Sequence, residues 1–139
     1  MANSDIHREL HDMFNRRDFD GLRARFGADA VYVDHPRSIS VKGPDEFVSW
    51  LQGWTAAMSD ARCTDGRYLD AGDTTVSLFI GRGLNDGAMG PFPASNNELT
   101  FPRCEVFTFD ADGIVASGEL YYDQSTILAQ MGVMTAPAG

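Results

Sequence analysis

The groups in this chain that could move protons are carboxylates and imidazoles set among strand-forming and aromatic residues. Asp34 and His35 close the run Phe26-Gly27-Ala28-Asp29-Ala30-Val31-Tyr32-Val33-Asp34-His35, just before Pro36, and Glu105 follows Arg103 by two residues in Arg103-Cys104-Glu105-Val106-Phe107. Proton transfer by a placed side chain accelerates a reaction on the order of 100- to 10,000-fold. A carboxylate in an apolar pocket has its charged form disfavoured, so its pKa rises toward the range where it exchanges protons at neutral pH. Two such groups can divide the labour: Asp34, ionised, takes an acidic proton beside a carbonyl, and Glu105, neutral, donates to the oxygen that becomes the enolate. Arg103 is the competing partner that would hold Glu105 ionised. His35 is a second candidate base, because imidazole titrates near neutrality, or else a cap at the strand end.

These residues need elements to hold them. Ile6, Leu10, Met13 and Phe14 recur at helical spacing and predict an amphipathic helix over about 4–16, followed by a short helix near 19–26 and a strand over 29–35. Gly43-Pro44-Asp45 opens a third helix carrying Phe47, Trp50, Leu51, Trp54 and Met58. From about residue 62 the period becomes strand-like. Runs at 63–71, 74–82, 98–109 and 114–122 are separated by tight turns at Ala71-Gly72-Asp73 and Asp110-Ala111-Asp112-Gly113 and by a long Gly-, Pro- and Asn-rich loop, Gly83 to Asn97. That loop is longer than a hairpin requires, so it reads either as a lid or as a connector. A short helix over 125–131 precedes a tail, 133–139, expected to be disordered.

Helices first and strands last predict a single α+β domain over 1–139 in which a curved, mostly antiparallel sheet wraps around the N-terminal helices. The result is a cone-shaped barrel. In a strand, residues two apart share a face, which groups Tyr32 with Asp34, Arg103 with Glu105 and Phe107, and Leu120 with Tyr122. Assigned to the concave side with Trp54 and Phe79, these residues line a pocket for a small lipophilic molecule.

Composition narrows the classes of function. Lys and Arg number 11 against 20 Asp and Glu, a net charge of -9, which repels phosphates and argues against nucleic acid as a partner. No apolar run approaches the roughly 18 residues of a membrane span. Cys63 and Cys104 lack metal-site spacing and the density of a secreted disulfide scaffold, so a reduced cytoplasmic protein is expected. His7 and His11 lie four apart on a helix, a spacing that suits two metal ligands. With no third ligand nearby, and His7-Arg8-Glu9-Leu10-His11 not matching the zinc-protease pattern, they read as a solvated face. Gly81-Arg82-Gly83 is too short for a dinucleotide loop. No metal and no cofactor are expected. Val106 and Tyr121, on the outer sheet face, suggest a homodimer.

Asn15 through Pro36, with its helix-helix-strand spacing, resembles the ketosteroid isomerases, and Tyr121-Tyr122-Asp123 with Ile127-Leu128-Ala129-Gln130-Met131-Gly132 is similar to SnoaL-like polyketide cyclases. Both belong to the nuclear-transport-factor-2-like superfamily, whose cystatin-like cone the resemblance implies for this chain. It also implies that Asp34 matches a proton-shuttling carboxylate and that Glu105, in Glu105-Val106-Phe107-Thr108-Phe109-Asp110, matches an acid that donates to an oxyanion. Leu10 stands where a ketosteroid isomerase has its hydrogen-bonding tyrosine. The acidic residue near the last strand, Glu119, is one position from the cyclase and epoxide-hydrolase site at Leu120, and so on the opposite face. The implied function is carboxylate acid-base chemistry on a lipophilic carbonyl compound, as in a cyclase or isomerase. The alternatives are a ligand-binding or dimeric interaction protein without chemistry, and a hydratase, dehydratase or epoxide hydrolase in which Tyr32, Asp34 and Tyr122 position water.

Overall fold

Apolar residues at helical spacing bury one side of each long helix, and alternation along the strands supplies the surface that covers them. The structure, a computed structural model, describes residues 1–135, so the expected tail falls outside the described residues from 136 onward. Helix α1 (Asn3–Asn15) buries Ile6, Leu10, Met13 and Phe14. Helix α2 (Phe19–Ala24) starts at Asp18, whose carboxylate accepts from the Gly21 N–H at 2.9 Å. Such a cap satisfies an N–H that the first turn leaves without a helical partner. Helix α3 (Gly43–Ala57) opens on Pro44, Asp45 and Glu46 and buries Phe47, Trp50 and Trp54. Helix α4 (Gln124–Met131) is capped by Asp123 and ends at Gly132, which takes the left-handed conformation with φ 82°.

The strands are β1 (Phe26–Asp34), β2 (Ile39–Lys42), β3 (Arg62–Ala71), β4 (Thr74–Leu84), β5 (Glu98–Phe109) and β6 (Val115–Tyr122). They form one curved sheet in the order β2-β1-β6-β5-β4-β3. Only the β1 and β6 pair is parallel; the other neighbours are antiparallel. The sheet is mixed and open, with β2 and β3 as its edges, rather than a closed barrel. Strand β2 was not expected from the sequence. Its Ile39-Ser40-Val41-Lys42 is too short and too exposed to carry a pattern, and it is strand only because the edge of β1 pairs with it, from Asp34 with Ile39 to Val31 with Lys42.

Alternation along the strands places the expected residues on the concave side. Tyr32, Asp34, Glu105, Phe107, Phe79 and Leu120 are buried, and Tyr122 and Arg103 are half-buried on the same face. Tyr121 and Glu119 lie on the convex face with Val106. Gly118 sits between Tyr32 on β1 and Phe107 on β5. A Cβ there would come within 2.6 Å of the Tyr32 ring and 2.7 Å of the Phe107 ring, so the absent side chain lets two large rings cover one position.

Two polar locks fix the frame. Asn15 brackets Cys63 with two hydrogen bonds, Nδ2 to the carbonyl at 2.9 Å and the Cys63 N–H to Oδ1 at 2.8 Å, which ties the end of α1 to edge strand β3. Asn85, fully buried, donates to the carbonyls of Ala57 and Gly87 and accepts from the backbone and hydroxyl of Ser95. The long loop is thereby fastened at both ends to itself and to α3. Among the described residues no helix is long and apolar enough to cross a membrane.

Candidate functional site

Glu105 lies at the bottom of the cone with donors from three elements aimed at it. Its Oε1 accepts from His7 Nε2 at 3.0 Å and from His11 Nε2 at 2.7 Å, both on α1, and its Oε2 accepts from the Tyr32 hydroxyl on β1. Each ring is held from behind: His7 Nδ1 meets the Thr75 hydroxyl and His11 Nδ1 the Tyr68 hydroxyl, each at 2.7 Å. The network assigns both Nε2 atoms as donors to the carboxylate.

This corrects the expectation of a solvated histidine pair. His7 is fully buried and His11 is 6% exposed. The signal was available in the sequence, since His7, His11 and Phe14 continue the buried side of α1 at four- and three-residue spacing. A third partner was not legible, because Glu105 lies 94 residues from His11.

Glu105 was expected as a neutral donor or as a partner of Arg103, and it is neither. Burial by itself pushes its pKa up, but the hydrogen bonds and charges of His11 and His7 outweigh burial and hold it well below the usual carboxylate range. It is ionised at neutral pH. Burial likewise lowers the pKa of His7, against the opposing pull of Glu105, so this imidazole is neutral there. Burial and the neighbouring carboxylate raise the pKa of Tyr32 well above its ordinary value, which keeps the phenol proton in place as a donor.

One donor atom each from His7, His11 and Glu105 lie within 4.8 Å of one another. Two imidazoles oriented from behind and one carboxylate could hold a divalent cation.

Asp34 forms a second, separate cluster nearer the rim. It is 1% exposed. Arg37 Nε and Nη2 each reach its Oδ2 at 2.8 Å, Trp50 Nε1 donates to the same oxygen at 3.1 Å, and the Tyr122 hydroxyl donates to Oδ1 at 2.8 Å. Arg37 follows Asp34 by three residues and returns to it across the Pro36 bend. Most of the carboxylate's lone pairs are therefore occupied. His35 points the other way. Its ring stacks on Tyr121 at 4.5 Å and its Nε2 pairs with Glu119 at 3.0 Å, both on the convex side. Asp34 and His35 thus do not share a pocket: β1 ends at Asp34, and His35, the first residue of the turn, is directed to the convex side.

Between the clusters lies a cavity of about 40 Å³ walled by Leu10, Phe14, Trp50, Trp54, Phe79 and Phe107, with His11, Arg103 and Glu105 as its charged or polar lining. It has room for water but not for a polycyclic molecule, so a larger ligand enters only as lining side chains move. Leu10, in the position where the resemblance placed a missing tyrosine, is part of this apolar wall. Cys63 also lines the cavity, and burial pushes its thiol up to about 12, which leaves it unreactive.

The profile of the SnoaL-like domain matches residues 7–117, which include most of α1, Asp34 with Arg37 and Trp50, and the Glu105 network, while Tyr122 lies just beyond. The chain belongs to the SnoaL-like family. No curated protein matches it by sequence. Among solved structures this SnoaL-like chain is similar to a candidate SnoaL-like polyketide cyclase from Jannaschia sp. CCS1, with a TM-score of 0.84 and 19% identity over 98% of this chain and 93% of that one. It is similar to IdmH, a candidate polyketide cyclase from Streptomyces antibioticus, with a TM-score of 0.83 and 20% identity over 96% and 100% of the two chains. A protein of ketosteroid isomerase-like fold from Catenulispora acidiphila, solved with trimethylamine, aligns with a TM-score of 0.76 and 21% identity over 93% of each chain. At these identities the structural matches establish the nuclear-transport-factor-2-like cone and leave the chemistry to the residues of the site.

Proposed function

We propose that this protein is an acid-base enzyme of the polyketide-cyclase or isomerase type, acting on an enolisable carbonyl compound without a cofactor. One observation carries the reading: a buried carboxyl group, Glu105, faces an apolar cavity with His7, His11 and Tyr32 converging on its oxygens. Of the four lone-pair positions on a carboxylate, three are occupied by His7, His11 and Tyr32, and one on Oε2 is free to receive a proton. When a substrate C–H proton moves to Glu105, the donors on Oε1 and Oε2 weaken their hold and the imidazoles and phenol redistribute. Tyr68 and Thr75 keep the rings aimed throughout. The strong donors depress Glu105 as a base, so the substrate proton must itself be acidic, as it is between two carbonyls. Asp34, saturated by Arg37, Trp50 and Tyr122, acts in this reading as the group that fixes the cone's mouth.

Proton exchange tests the proposal without knowledge of the natural substrate. In deuterated buffer, a β-keto ester, whose α-proton lies between two carbonyls, should gain α-deuterium faster with the protein than with buffer alone, and Glu105→Gln should return the rate to background. Exchange at the buffer rate with the unaltered protein, for β-keto esters and β-diketones alike, would remove the acid-base reading.

A further inference from the structure

Arg103 is a half-buried cation without a carboxylate. It is on the concave face of β5 and lines the central cavity, yet among the described residues it makes no ion pair, and its Nε and Nη2 are buried with no hydrogen-bond partner. Arg16, Arg23, Arg25, Arg37, Arg62 and Arg82 each find a carboxylate, Arg8 and Arg67 are exposed to solvent, and Arg17 donates to the carbonyls of Phe14 and Ser59, so Arg103 stands apart in having buried donors that nothing meets. The guanidinium is instead surrounded by rings, 4.3 Å from the centroid of Trp54, 5.0 Å from Tyr122, 5.2 Å from Phe101 and 5.9 Å from Phe79. Ring faces attract a cation but offer no lone pair to its N–H groups, so those donors stay unmet and their burial costs free energy.

The two orphan atoms are not an arbitrary pair. Nε and Nη2 form one edge of the guanidinium, the edge whose parallel N–H bonds fit the two oxygens of a carboxylate. The same molecule shows that edge turned to a carboxylate, since Arg37 applies its Nε and Nη2 to Asp34, there both to the single oxygen Oδ2 at 2.8 Å. Nearby Glu105 does not fill the role for Arg103, because its oxygens are turned to His7, His11 and Tyr32.

From this geometry we infer that Arg103 is an anion-binding subsite and that the ligand of the cone carries a carboxylate. The inference deepens the acid-base reading: one end of the substrate is clamped by Arg103, and an acidic C–H is presented to Glu105. On a strand these two residues are about 7 Å apart, which fits a carboxylate separated by a few bonds from the reacting carbon. The negative charge of Glu105 does not forbid a second anion, because His7, His11 and Tyr32 share it. The overall charge of -9 gives no attraction at long range, so recognition depends on the local fork.

Benzoate and benzamide are matched in shape and differ in charge. By calorimetry at low ionic strength, benzoate should bind at least about tenfold more tightly than benzamide, a difference of about 1.4 kcal/mol. Arg103→Gln should abolish that preference, Arg103→Lys should keep part of it by retaining charge without the fork, and Arg67→Gln, at an exposed arginine outside the cavity, should leave it intact. Equal binding of the two ligands, no benzoate binding up to about 10 mM, or a preference that survives in a folded Arg103→Gln would each overturn the subsite. The unaltered protein alone decides the first two outcomes, so a variant that fails to fold does not shield the proposal. Benzoate preference without β-keto ester exchange would leave the subsite standing and remove the acid-base reading. Exchange without benzoate preference would remove the subsite alone.

Discussion

His11 and Glu105 meet at 2.7 Å across 94 residues of sequence, and this bond fastens the first helix to the centre of the sheet at the same atom on which His7 converges. A buried carboxylate is tolerable only when its lone pairs are met. Here two rings and a phenol meet them, and in doing so they make a structural requirement and a chemical device out of one group.

Glu105→Gln should therefore affect both stability and turnover. An amide offers one acceptor oxygen and turns an NH2 toward donors already present, leaving a buried donor unmatched at a cost of about 1–3 kcal/mol. Chemical denaturation should show that loss, and any proton-transfer activity should fall on the order of 100-fold or more. Tyr32→Phe removes one donor while keeping the ring, and should lower stability by about 1 kcal/mol while raising the pKa of Glu105 toward the ordinary carboxylate range.

The pH dependence of folding has a defined sign. His7 has its pKa lowered in the fold, so below the ordinary imidazole value near 6.5 the unfolded chain binds a proton that the folded chain refuses. Stability then drops as pH falls from about 6.5 toward the lowered value, with a slope of at most about 1.4 kcal/mol per pH unit for one proton. Glu105 adds a second loss that begins below its ordinary value of 4.5 and continues as pH falls toward its depressed value. Denaturation midpoints measured from pH 7 to pH 4 should show the first slope in the unaltered protein and a reduced one in His7→Gln.

Gly118→Ala should be disproportionately harmful for a single methyl group. The new Cβ would meet the Tyr32 and Phe107 rings at 2.6 and 2.7 Å, and neither ring can withdraw without disturbing Glu105 or the cavity wall. Overpacking of this kind costs about 1–3 kcal/mol. Near-ultraviolet circular dichroism should register the altered tyrosine environment, and Ser117→Ala, on the exposed side of the same strand, should change little.

Arg37→Ala should destabilise more than an ordinary surface arginine. Its guanidinium is the cation for Asp34, and its loss leaves a carboxylate 1% exposed with Trp50, Tyr122 and the backbone N–H of residue 37, at 3.4 Å, as its remaining donors. Breaking a buried pair from one side costs about 3–5 kcal/mol; the partial exposure of Arg37 places the expected loss near the lower end. Thermal unfolding of Arg37→Ala beside Arg67→Ala, which removes an arginine without an ion pair, measures the difference. A loss no larger than for Arg67→Ala would mean that Asp34 is stabilised by its neutral donors alone.

Much of the fold follows from periodicity in the chain. The stripe Ile6, Leu10, Met13, Phe14 defines α1, Pro44 with Asp45 and Glu46 starts α3, and alternation within 98–109 and 115–122 sets Glu105, Phe107 and Leu120 on one face, all because side-chain direction repeats within an element. Such local rules also place Asp34 and Tyr32 together, but they leave open the direction of His35, just before Pro36, which the tertiary structure turns toward Tyr121 and Glu119. They do not reach across elements. That His7 and His11 both serve Glu105, and that Arg103 is left with aromatic faces and no carboxylate, depend on how α1 and α3 pack into the curved sheet. Contacts between residues tens of positions apart arise only when the sheet's order and register are fixed, and strand β2, formed by pairing with β1, shows the same dependence in its smallest form.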